Sequence, residues 1–130
     1  MPAICAGEKA APLRDCQILL VEDEALVAMD LAYELEKAGA EVTFASTLAE
    51  ALAIANSNDP PHSAAVLDIN LRGEEVYPAA ERLAATGVPF LFCTGHGKLE
   101  DVAPRFPDAP VLNKPIIGRQ LVCALAALLP

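Results

Sequence analysis

Basic residues are few in this chain. It carries 9 Lys+Arg against 18 Asp+Glu, for a net charge of −9, and the basic residues are scattered without a stripe. Nucleic acid and anionic membranes are therefore excluded as primary partners. No apolar run approaches the roughly 18–20 residues of a membrane span. The N-terminus lacks the cationic start and apolar core of a signal peptide. The cysteines, Cys5, Cys16, Cys93 and Cys123, form no CxxC pair, and their spacing matches no zinc framework. Cys16, Cys93 and Cys123 stand in apolar surroundings and read as small buried hydrophobes, which fits a reducing, cytoplasmic setting. There is no internal linker, repeat or low-complexity tract.

The chain has 130 residues, of which 54% are hydrophobic. That suffices for one domain with its own core. Residues 1–15 show no period, contain Pro2, Gly7 and Pro12, and read as a loose leader; residues 16–130 form the domain. Short apolar runs alternate with helical stripes from there on. Strands are expected at Gln17–Val21, Glu41–Ala45, Ala64–Asp68, Val88–Cys93 and Val111–Asn113. Helices are expected between and after them: Glu24–Ala38 closed by Gly39, a helix from Ser46 or Thr47 to about Asn56 with Glu50 completing a capping box, Val76–Thr86 with Pro78 in its first turn, and Ile117–Leu129. Asn58-Asp59-Pro60-Pro61 and Arg72-Gly73 are turns. The stretch Gly95–Asp108 holds Gly95, Gly97, Pro104 and Pro107, so any helix there is short and easily frayed. Five βα units imply a parallel α/β sheet with helices on both faces and right-handed crossovers.

The polar residues at the strand ends carry the chemistry. Glu22, Asp23 and Glu24 follow the first strand. Asp68 ends the third, Thr94 follows the fourth, and Lys114-Pro115 follows the fifth. In an open parallel sheet the carboxyl ends of the strands form the ligand crevice. Three carboxylates converging there call for a cation or raised pKa values. Glu22, Asp23 and Asp68 suit Mg²⁺, which takes few protein carboxylates and keeps water and phosphate oxygens as its other ligands. The Asn70 backbone carbonyl is a further candidate ligand. A carboxylate can also attack phosphorus and form an acyl phosphate, with the Lys114 ammonium and the Thr94 hydroxyl placed for phosphoryl oxygens. Taken singly, an acidic triplet is a helix N-terminus, a lone Asp a cap, a lone Lys a solvated charge, and Thr94 a turn hydroxyl.

Leu20-Val21-Glu22-Asp23-Glu24, Val66-Leu67-Asp68-Ile69-Asn70-Leu71, Thr94-Gly95 and Lys114-Pro115, in that order, resemble the receiver domain of two-component response regulators over about residues 16–129. The resemblance implies a flavodoxin-like doubly wound sheet in order 2-1-3-4-5. It implies that Asp68 accepts a phosphoryl group from a histidine kinase or histidine phosphotransfer protein. Glu22, Asp23, Asp68 and the Asn70 carbonyl would hold Mg²⁺, while Thr94 and Lys114 would sense the phosphoryl group. It implies a cis Lys114-Pro115 peptide, a cytoplasmic bacterial protein, and no catalysis beyond taking up and hydrolysing its own phosphoryl group. With the chain ending at Pro130, it reads as a stand-alone receiver whose output is a protein contact.

Two features depart from the common pattern. The fifth strand, Val111-Leu112-Asn113, lacks the aromatic that receivers usually carry there. The stretch Pro89-Phe90-Leu91-Phe92-Cys93-Thr94-Gly95-His96 is similar to the subclass nicknamed FAT GUY receivers, in which the region after the threonine tends to be mobile. Phosphorylation is then expected to order or reshape Gly95–Asp108. The alternatives are a degenerate receiver that binds partners without phosphorylation, an aspartyl-phosphate phosphohydrolase, and a small nucleotide- or flavin-binding module. The phosphohydrolase would need a second carboxylate where Asn70 stands. The nucleotide module would need a glycine-rich loop after the first strand, where Glu22-Asp23-Glu24 stands instead.

Overall fold

Period-2 alternation divides each apolar strand between two cores. Leu19, Val21, Ala65, Leu67, Phe90 and Phe92 point to one face of the sheet, and Ile18, Leu20, Ala64, Val66, Leu91 and Cys93 to the other. Strands buried on both faces must be apolar throughout, which is why these runs are continuous. The computed structural model describes residues 11–57, 62–95 and 99–129.

The elements follow in the order β1 (Gln17–Val21), α1 (Ala25–Lys37), β2 (Glu41–Ala45), α2 (Leu48–Ala55), β3 (Ala64–Asp68), β4 (Asn70–Leu71), β5 (Glu74–Glu75), α3 (Tyr77–Ala85), β6 (Phe90–Thr94), α4 (Leu99–Arg105), β7 (Val111–Asn113) and α5 (Gly118–Leu128). Five of the strands form one parallel sheet in the order β2-β1-β3-β6-β7. This is the expected 2-1-3-4-5 order. Its numbering is shifted by β4 and β5, a two-residue-per-strand antiparallel hairpin that is too short to leave a periodic signal. Helices α1 and α5 cover one face, and α2 and α3 the other, with Val102 of α4 and the following Phe106 completing the second core.

The caps follow the sequence signals. Thr47 Oγ1 accepts from the Glu50 N–H at 3.1 Å, and the Glu50 carboxylate accepts from the Ser46 N–H at 2.7 Å. After α1, Gly39 sits at φ 104°, in the left-handed region that suits glycine. A Cβ there would also lie 2.9 Å from the Arg14 Cα. The chain before β1 is the reason. Residues 11–14 form a turn whose Leu13 is fully buried among Leu35, Leu121 and Leu125, and Leu13 N–H donates to the Ala38 carbonyl at 2.8 Å. Within the expected leader 1–15, this stretch is built into the core between the sheet and helices α1 and α5.

Four aromatic rings gather on the α2–α3 side. Phe92 lies 5.8 Å from Tyr77, 5.4 Å from Phe90 and 5.4 Å from Phe106, centroid to centroid. The Arg105 guanidinium stacks 4.5 Å over the Tyr77 ring and pairs with Glu81 at 2.8 Å. Helix α4 contains Pro104, as its sequence foretells, and these contacts hold its C-terminal end to α3 and the sheet. The expected turn at Asn58-Asp59-Pro60-Pro61, together with His96 and Gly97, lies outside the described residues. Cys93 is buried as expected, whereas Cys16 and Cys123 are half-buried.

Candidate functional site

Parallel register carries the ends of four strands to one level. Val21 pairs with Ala45 and Leu67, Asp68 with Cys93, and Thr94 with Asn113. Glu22 is thus the first residue past β1, Asp68 the last of β3, Thr94 the last of β6, and Lys114 the first past β7. Backbone bonds continue beyond the strands and fix these residues. Glu22 N–H donates to the Ala45 carbonyl at 3.0 Å, and Lys114 N–H to the Thr94 carbonyl at 2.8 Å. The Lys114-Pro115 peptide is cis, as expected.

The side chains converge. Lys114 Nζ lies 3.1 Å from Asp68 Oδ2 and 3.3 Å from Glu22 Oε1. The second Glu22 oxygen, Oε2, accepts from the Glu24 N–H at 3.1 Å. Glu22, Asp23 and Asp68 each offer a carboxylate oxygen, and these lie within 4.8 Å of one another. A cavity of about 290 Å³ opens above them, lined by Asp23, Glu24, Asp68, Asn70, Arg72, Gly73, Gly95 and Lys114. Glu22 lies beneath this cavity and is 3% exposed, while Asp68 and Thr94 are also buried. Glu22 is thus the most deeply set of the acids, while Asp23, Asp68, Asn70 and Lys114 line the cavity itself.

Burial and like charge act together on the acids. Burial pushes Glu22 up to about 7, and the nearby Asp68 carboxylate adds to the rise, against the Glu24 N–H and Lys114. Asp68 is also raised by burial, with Lys114 opposing. Burial pulls the Lys114 ammonium down, but Asp68 and Glu22 more than offset it, so it stays above the ordinary lysine value. Burial, reinforced by Asp68, pushes the Cys93 thiol under the site up to about 12 and leaves it unreactive.

This set fits a hard divalent cation. It supplies only oxygen donors, clustered closely, with excess negative charge and an open mouth for further ligands. Of the six residues singled out from the sequence, Glu22, Asp23, Asp68, Asn70 and Lys114 come together here, and Thr94 stands beside them at the end of β6, its carbonyl accepting from the Lys114 N–H. Arg72 and the hairpin that carries it were not foreseen as part of the site. The left-handed pair Arg72 (φ 55°) and Gly73 (φ 92°) and the Asn70 Oδ1 that accepts from the Gly73 N–H at 2.8 Å fold the hairpin back over the cavity. The signal available was the Asn-x-x-Gly spacing, which marks a turn but does not say what the turn approaches.

Comparison with known proteins agrees with this geometry. The family model of the response regulator receiver domain matches residues 18–125. No curated protein matches the chain. Among solved structures, SdrG from Sphingomonas melonis Fr1 is 46% identical, with a TM-score of 0.72, over 91% of this chain and 98% of that one. A response regulator receiver protein from Sinorhizobium medicae WSM419 is 29% identical, with a TM-score of 0.79, over 87% and 93%. The response regulator PhyR from Brucella abortus is 26% identical, with a TM-score of 0.77, over 98% of this chain and 52% of that one.

Proposed function

Because this chain belongs to the response regulator receiver domain family, we propose that it is a phospho-acceptor switch with Asp68 as the acceptor. The observation that carries this reading is the Asp68 carboxylate, set between an ammonium 3.1 Å away and two further carboxylates at the mouth of an open cavity. A carboxylate oxygen attacks the phosphorus of a phosphohistidine. The P–N bond breaks, an acyl phosphate forms on Asp68, and the imidazole departs with the bonding pair and takes up a proton. The donor class is a histidine kinase or histidine phosphotransfer protein.

Asp23, Asp68 and the Asn70 carbonyl line the cavity and would hold Mg²⁺, with Glu22 completing the negative charge from below. When bound, the ion neutralises charge on the phosphoryl oxygens. Lys114, also lining the cavity, neutralises another side of the group. Thr94, at the end of β6, offers its hydroxyl to a phosphoryl oxygen. Output is a phosphorylation-dependent protein contact, with Gly95–Asp108 as the segment that changes. The likeness of residues 89–96 to the FAT GUY subclass supports that choice of segment. Among the described residues, no helix is long and apolar enough to cross a membrane.

The test is the intact mass after incubation with acetyl phosphate. We expect one phosphoryl adduct that requires Mg²⁺, disappears with EDTA, and is absent in Asp68→Ala. An adduct that persists in Asp68→Ala refutes the assignment. Mg²⁺ binding without any adduct, from acetyl phosphate or a kinase, favours a receiver that works unphosphorylated.

A further inference from the structure

Arg72 stands where an arginine is disfavoured. Its φ of 55° lies in the left-handed region, and the two-residue turn it shares with Gly73 is best served by Asn-Gly or Asp-Gly. Non-glycine residues held in that region cluster at functional sites. The guanidinium reaches from the hairpin to the opposite wall of the cavity. Arg72 Nε lies 3.8 Å from Asp23 Oδ2, and Nη2 donates to the Asp23 backbone carbonyl at 3.5 Å. Both contacts are long, and the side chain is 79% exposed, so the hold is weak and easily released. Lys114 is engaged by Asp68 and Glu22. Arg72 serves the remaining member of the acidic trio.

We propose that Arg72 is a built-in competitor of the divalent cation for Asp23. A cation bound through Asp23 Oδ2 meets the guanidinium at the same oxygen and must displace it. The released arginine then stands at the cavity rim on the hairpin, next to Asn70. Cation affinity is thereby set below what the carboxylates alone would give, and cation binding is tied to a movement of the Asn70–Glu75 hairpin. This inference rests on the reading of the acidic trio as a Mg²⁺ site.

The experiment is Mg²⁺ titration of the full chain by calorimetry, wild type against Arg72→Asn, together with the ¹⁵N-resolved Nε–H resonance of Arg72 in the wild type. Asparagine tolerates the left-handed conformation, so the turn is kept. We expect Arg72→Asn to bind Mg²⁺ about two- to fivefold more tightly, the range an exposed ion pair can supply. We also expect the wild-type Nε–H resonance to shift and exchange faster with water as Mg²⁺ saturates. Equal affinity in the two proteins overturns the proposal and leaves the metal site standing. Tighter binding with an unmoved Nε–H resonance assigns the effect to long-range charge alone, which also overturns it. Absence of Mg²⁺ binding in both proteins removes the metal reading first, and the proposal falls with it.

Discussion

Replacing Lys114 by methionine removes the ammonium shared by Asp68 and Glu22 while keeping most of the side-chain volume. At an effective dielectric near 20, charges 3.1–3.3 Å apart attract by about 5 kcal/mol per pair. Desolvation of the ammonium offsets much of this, and its side chain keeps 24% exposure. Removing one partner of a buried pair costs about 3–5 kcal/mol, so with partial water access a net loss of about 2–4 kcal/mol is expected near pH 8. The loss should depend on pH. Glu22 already titrates near 7 and Asp68 is raised; without the ammonium both rise further. A carboxylate whose folded pKa is raised binds protons that the unfolded chain has released, so stability falls as pH rises from the unfolded value to the folded one. The deficit of Lys114→Met is therefore smallest at about pH 5 and widest at about pH 8. Urea unfolding followed by circular dichroism suits a chain without tryptophan. Mg²⁺ bound at the acidic trio would place positive charge on the same oxygens, so it should stabilise the variant more than the wild type. A deficit below about 0.5 kcal/mol at pH 8, or one that does not shrink on acidification, refutes the reasoning.

Two further outcomes are expected. Because burial holds Glu22 near 7, a cation entering the acidic trio at about pH 6.5 should expel a proton. Calorimetry in buffers of different ionisation enthalpy should detect that proton, with Mg²⁺ affinity rising up to about pH 8; no proton release at pH 6.5 counts against Glu22 as the titrating group. Leu13→Ala should cost about 2–5 kcal/mol in chemical denaturation, as for other large-to-small changes in a core. A change below about 0.5 kcal/mol would place residues 11–15 outside the cooperative unit.

The fold was legible where one face pattern dominates. The apolar runs within the expected strands Ala64–Asp68 and Val88–Cys93 read as strands buried on both sides; the structure places them at Ala64–Asp68 and, starting two residues later and ending one later, at Phe90–Thr94, buried throughout. The six candidate residues could be picked out because a parallel sheet delivers whatever follows each strand to one edge. Three things were hidden. Leu13 stands alone among polar and small residues, so no period marks it; only the α1 C-terminus beside it shows that it belongs to the core. The β4–β5 hairpin is too short for alternation, and without it Arg72 has no reason to approach Asp23. The vertical order of the acids was also invisible. Glu22 and Asp23 are neighbours in sequence and sit on different levels, because Glu22 is drawn down to Lys114 and the Glu24 N–H while Asp23 lines the mouth.

That vertical order has a mechanical consequence. Glu22 is buried and engaged by Lys114, whereas among the described residues Asp23 meets the long Arg72 contacts. Repulsion among three carboxylates has to be tolerated by stability supplied elsewhere, and the two cores on either side of the sheet supply it. A site that is unfavourable in charge but fixed in position responds strongly to added charge. A cation relieves the repulsion, and a phosphoryl group on Asp68 restores it unless Lys114 and the cation both stay. Phe106 and Arg105 hold the C-terminal end of α4 through the aromatic cluster.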